Sequence, residues 1–357
     1  MRRLLLIGLG ALLAVFLFGM IVQVTDTNDY GYTHTDPATG LKLYNKNGSF
    51  FVLGGCFENT VKINNLGFHG QDVPEQKGEN VYRIIILGGS FIAAVQVQVE
   101  EMFSTVLQQK LNADNGRKYT YEVIPVAING NKPFYNALYY LLYGSPLKPD
   151  LVINFQTQWE LSHFDGPEAD LDAEGKAILE VPKINENPTR ALVRDTLRRS
   201  KLLVNLYNRY LLFKDNVSGY LARPLFFLPE SAVVLPQSEE QMAKEPAVHL
   251  QKQEASTLAL ANKVAEDRAK FLLATAYAPE AAPTVTHGEL VARSASLAAR
   301  AGAPYVDLQP RMTDLETAEG ESATLSPCEG HWSVAGNRYA ADALYQYLAV
   351  HPQLIHR

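Results

Sequence analysis

Cysteine is scarce in this chain, with Cys56 and Cys328 the two among 357 residues. A dense disulfide framework is therefore excluded as the source of stability. With no Cys/His cluster at ligand spacing, so is a zinc-built fold. In an oxidising compartment Cys56 and Cys328 can form one disulfide between the N-terminal arm and the C-terminal region, and two separate thiols fit the same spacing. Concentrated positive charge is also missing. Lys and Arg number 32 against 38 Asp and Glu, for a net charge of −6, and no basic block offers a footprint for nucleic acid. No residue set points to a metal or an organic cofactor.

What is present is a globular composition, 47% hydrophobic and 20% charged, enough to bury a sizeable core. One domain with an insertion or two small domains fit that length. Met1-Arg2-Arg3 precedes an apolar run from Leu4 to Val24, broken only by Gln23. Its length matches the ~20 residues a helix needs to cross a bilayer. Gly19 to Thr25 offers no small-x-small cleavage site, so the expectation is a retained anchor at 1–24. Arg2 and Arg3 stay cytoplasmic, and Asp26, Asn28 and Asp29 begin the translocated side.

Within the body, the stretch Arg83 to Ile92 stands out. Ile84 to Leu87 reads as a buried parallel strand. It stops at Gly88-Gly89, and Ser90 then opens a helix, where its own N–H favours developing negative charge. Ser90 is the candidate nucleophile, with a plain strand-to-helix turn as the alternative. Before it, residues 25–80 read as an extended, irregular arm ending in Asn64-Asn-Leu-Gly-Phe-His-Gly70, followed by a polar linker over 71–80. After it, the spacing of Phe103, Val106, Leu107 and Leu111 predicts a helix over 100–111.

A second unit follows, with a strand over 121–128, a turn at Asn129 to Pro133 and a helix over 134–143. A third strand over 149–155 ends at Gln156-Thr-Gln-Trp-Glu160. Successive βα units imply a parallel sheet with right-handed crossovers, and ligands then gather where Ser90, Gly130 and Gln158 fall. From about 163 to 250 the pattern loosens into an insertion, a lid or a docking surface. Thr189 to Lys214 reads there as a basic helix, presenting Arg190, Arg194, Arg198, Arg199 and Lys201 to solvent or to an anionic glycan or headgroup. Regular pattern returns with helices at 254–268, 287–301 and 337–348 and strands at 269–277 and 305–308.

His331 lies in the loop Pro327-Cys-Glu-Gly-His-Trp-Ser333, just before the last helix. A serine hydrolase needs a base near the serine and a carboxylate that orients it, and Glu329 can meet His331 locally. The competing readings are a capping or packing histidine, and His163 as a rival base.

Gly88-Gly-Ser-Phe91, Asn129-Gly130, the polar end at Gln156 to Glu160, and Glu329-Gly-His331 together resemble the four blocks of the SGNH hydrolases, the GDSL lipase/esterase family. Asn64 to Gly70 and the strand Tyr82 to Leu87 are similar to its bacterial membrane-anchored branch. The resemblance covers roughly 60–160 and 255–350. It implies a three-layer, flavodoxin-like α/β sandwich with a central parallel sheet (the SGNH hydrolase fold) over 81–350, behind one transmembrane helix. It implies Ser90 as nucleophile, His331 as base and Glu329 as its orienter. Ser90, Gly130 and Gln158 would form the oxyanion hole, and Trp159 and Trp332 the substrate walls. Where the family carries Asp before the serine and Asn in its third block, this chain has Gly89 and Trp159, the latter beside Gln158.

The implied activity is an esterase or deacetylase acting on acylated glycan or lipid, with the domain on the periplasmic side of a bacterial inner membrane. Two alternatives stand beside it: an O-acyltransferase of an exported polysaccharide, and a non-catalytic carbohydrate binder.

Overall fold

The computed structural model describes residues 8, 10, 13–20, 33–36, 39–53, 57–113, 118–159, 168–180, 246–277, 285–326 and 330–356. The centre is a five-stranded parallel sheet. Its strands are β5 (Val81–Gly88), β6 (Thr120–Ala127), β7 (Leu151–Gln156), β10 (Lys270–Thr275) and β11 (Tyr305–Asp307). They lie in the order β11-β10-β7-β5-β6, so β5 is an inner strand with β6 on one side and β7 on the other.

Strand alternation divides the core in two. Tyr82, Ile84, Ile86, Leu151, Ile153, Phe155, Leu272 and Ala274 face one cluster; Ile85, Leu87, Val152, Phe271 and Leu273 face the other. Helices α2 (Phe103–Ala113), α6 (Gln309–Glu319) and α7 (Val334–Val350) cover the first face. Helices α3 (Pro133–Tyr139), α4 (Pro246–Glu266) and α5 (His287–Arg300) cover the second. Burial on both faces is why these strands read as continuous apolar runs. Pro125 sits in β6, at the sheet edge, where a missing N–H costs no ladder bond.

The main correction concerns the supposed arm. Its described residues form two antiparallel pairs, β1 (Thr33–Thr35) with β2 (Lys42–Tyr44) and β3 (Ser49–Leu53) with β4 (Glu58–Lys62). Leu41, Leu43, Tyr44, Phe50, Val61, Ile63 and Phe68 are all buried in the second core cluster. Phe68 packs edge-on against Tyr139 and Tyr143, at ring-centroid distances of 5.9 and 5.7 Å. Tyr143 in turn donates to Asp36 Oδ2 at 2.6 Å. The strands were hidden by their shortness and by the Asn and Gly residues between them.

Helix α6 lies where the sequence pattern predicts no element. Only Met312 of it is buried, so no apolar stripe marks it, although Pro310 at its start and Gly320 at its end punctuate it. Of the insertion at 163–250, the described parts are 168–180, carrying a short pair β8 (Asp170–Leu171) and β9 (Ala177–Ile178), and the start of α4. The predicted basic helix lies outside the described residues. Residues 13–20 are helical, with Leu13, Val15, Phe16, Leu17, Phe18 and Met20 exposed. Among the described residues no helix is long and apolar enough to cross a membrane.

Candidate active site

Strand β5 delivers Ser90 to the carboxyl edge of the sheet. Gly88, its last residue, has no room for a side chain: a Cβ there would sit 2.5 Å from Ile92 Cγ1. The short helix α1 (Ser90–Ala93) can therefore fold back against the strand end. Ser90 is the first residue of that helix, a position whose N–H has no intrahelical acceptor. Ala94 closes the helix in the left-handed region at φ 46°, and its N–H donates to the Ser90 carbonyl at 2.8 Å.

His331 approaches from the opposite end of the sequence. The Trp332–Thr324 bridge and the hydrogen bond from Leu325 N–H to His331 O, at 2.9 Å, hold its backbone. Ser333 then caps α7, accepting from Gly336 N–H at 3.1 Å. Gly336 is required by close approach, since a Cβ there would lie 1.9 Å from Ala323 O. The result is that Ser90 Oγ and His331 Nε2 are 2.7 Å apart, across 241 positions of sequence. With the imidazole proton on Nδ1, Nε2 accepts the serine hydroxyl's hydrogen bond, the geometry of a general base on its nucleophile.

Phe91 lies against the His331 ring, centroids 5.0 Å apart. Trp332 does not line an open wall. It is 3% exposed and packed among Phe91, Phe103 and Phe155 at 5.2–5.9 Å, so it supports the His331 loop from inside the core. Trp159, 42% exposed, is on the surface just past β7.

The candidate oxyanion donors come from three adjacent strands. Gly88 pairs with Ala127 in β6, three residues before Gly130. Gly130 is exposed, with φ +82°. Gln158 follows β7, on the other flank of β5, and is fully buried. Glu329, Cys56, Cys328 and His163 lie outside the described residues.

No protein-family model matches the chain, and no curated protein matches it in sequence. Among solved structures the chain is similar to several esterases. The psychrotrophic esterase EstA from Pseudoalteromonas sp. is 14% identical, with 77% of this chain and 100% of that one covered at a TM-score of 0.40. A putative GDSL-like lipase from Parabacteroides merdae is 9% identical, covering 78% and 100% at 0.41. The acetylxylan esterase Axe2 from Geobacillus stearothermophilus is 13% identical, covering 74% and 93% at 0.41.

Residues the sequence reading left unassigned also shape the site. Gly336 and Phe91 are two of them, and Asn59 and His69 are the others. Of these, His69 carried a signal as part of the Asn64–Gly70 motif and Phe91 as the last residue of the Gly88-Gly-Ser-Phe91 block, while Asn59 carried none.

Proposed function

We propose that this chain is a serine-dependent ester hydrolase of the SGNH type. The observation that carries the reading is the 2.7 Å contact between Ser90 Oγ and His331 Nε2, at the carboxyl edge of a parallel sheet where ligands bind in such folds. Ser90 Oγ attacks the ester carbonyl carbon while its proton passes to His331 Nε2. The N–H groups of Ser90 and Gly130, with the Gln158 amide as the remaining donor, stabilise the oxyanion. Collapse expels the alcohol, which takes the proton from His331, and leaves an acyl-Ser90. Water, deprotonated by His331, then releases the acid. Glu329 is assigned to orient the imidazole.

The substrate class proposed is an acylated glycan or lipid met outside the cytoplasm. The apolar run at 4–24 and the exposed apolar side chains of helical residues 13–20 support an anchor at the bacterial inner membrane.

The test is labelling of the full chain, in mild detergent, with a fluorophosphonate probe. Wild type should be labelled, and Ser90→Ala and His331→Ala should not. A folded wild type that resists the probe would overturn the reading.

A further inference from the structure

Three polar contacts grip the backbone that runs out of the Ser90 helix, and all come from the N-terminal strands and the turn behind them. His69 Nδ1 lies 2.9 Å from the carbonyl of Ala93, the last residue of α1. A carbonyl only accepts, so Nδ1 carries the proton. Asn59, on β4, donates from its one amide nitrogen to the carbonyls of Val95 at 2.9 Å and Val97 at 2.6 Å. Its oxygen accepts from the Gln98 side chain. Both residues are buried, 1% exposed for His69 and 2% for Asn59.

Between these grips sits Ala94, an alanine in the left-handed region, a conformation that costs about 1–2 kcal/mol without glycine. On the other side of Ser90, Gly88 and Gly89 have no side chains with which to brace the turn. Bracing from β4 and the motif turn is what the geometry supplies instead.

The turn that aims His69 is itself built for the purpose. Asn64 Oδ1 accepts from the N–H groups of Leu66 and Phe68, both at 3.0 Å. Asn65 exchanges hydrogen bonds with both backbone groups of Val73, at 2.8 and 3.0 Å. Gly67 and Gly70 supply positive φ, +95° and +148°. A Cβ on Gly70 would also press to 3.2 Å on Pro125 of β6. The Asn64–Gly70 motif thus has a structural task, presenting His69 to the end of α1.

We propose that His69 and Asn59 are positioning residues for Ser90: by holding the carbonyls of Ala93, Val95 and Val97 they keep α1 seated and its first residue aligned on His331. This rests on the reading of Ser90 as nucleophile. Neither residue is assigned a contact with substrate. Burial keeps His69 neutral, with a pKa pushed down to about 4, so its grip is constant across the neutral range.

The experiment is the rate of Ser90 phosphonylation by a fluorophosphonate probe, with kcat and KM for p-nitrophenyl acetate, on the full chain in detergent. His69→Leu should slow phosphonylation and kcat by about 10²-fold, the scale of a 1 Å misplacement, with KM little changed and far-UV circular dichroism preserved. His69→Asn places an amide N–H where Nδ1–H stood and should restore most of the rate. His69→Gln carries its N–H one bond farther and should not. Asn59→Ala should resemble His69→Leu. If His69→Leu fails to fold, the Asn and Gln variants decide the matter, and equal rates in those two would overturn the proposal. So would wild-type rates in a folded His69→Leu. A wild type that is not labelled would overturn the Ser90 reading itself, whereas a labelled wild type with indifferent His69 variants would overturn the positioning role alone.

Discussion

At Gly336 the spacing between α7 and the segment leading to His331 is set by a hydrogen atom. Gly336→Ala would drive a methyl into the Ala323 carbonyl at 1.9 Å, and the backbone on one side must give way. We expect a loss on the order of 3 kcal/mol in denaturant unfolding, together with weaker fluorophosphonate labelling because the His331 loop shifts. His69 offers a test through pH. Its pKa stands near 4 in the fold against 6.5 ordinarily, with burial the main cause. Above about pH 6.5 the residue is neutral in both folded and unfolded chains and pH has no leverage through it. As pH falls from there to 4 the unfolded chain binds the proton first, so stability is lost progressively, by about 3 kcal/mol across the window. Urea midpoints for wild type against His69→Asn should diverge over that range, wild type losing more. A constant gap between the two would count against a buried neutral His69.

Among the elements, the two N-terminal strand pairs belong to the folding unit. Phe68 is fully buried between them and Tyr139 and Tyr143, and Phe68→Ala should cost about 3–5 kcal/mol in chemical denaturation. For the same reason a chain starting at residue 81 would lose Leu43, Val61 and Phe68 and expose the apolar face of α3 that they cover. It should fail to give a cooperative melt, whereas a chain starting at residue 26 should give one. The parallel strands were legible because both their faces are buried and their apolar runs are unbroken. The short pairs β1–β4 were not, since strands of three to five residues interrupted by Asn and Gly give no period to read. What makes them strands is the face of α3 that they cover.

For the molecule as a whole, the proposed anchor and catalytic body predict separable behaviours. The full chain should sediment with membranes and be released by detergent, while removal of residues 1–25 should leave the protein in the supernatant with Ser90 still reactive to fluorophosphonate. Ser90→Ala should leave the melting temperature close to that of wild type, because the hydroxyl is half-buried at the sheet edge and its loss leaves no cavity in either core cluster.

By itself the sequence determined the parallel α/β core, the placement of Ser90 at a strand end and the candidacy of His331. Those depend on local pattern: an apolar run, a glycine pair, a loop before a capped helix. Only the tertiary structure decided that Ser90 and His331 meet, that Trp332 is core rather than wall, and that Asn59 and His69 reach Ala93 to Val97. These are relations between residues far apart in the chain, and their distances come from the packing of β4, β5 and α7, which no local periodicity encodes.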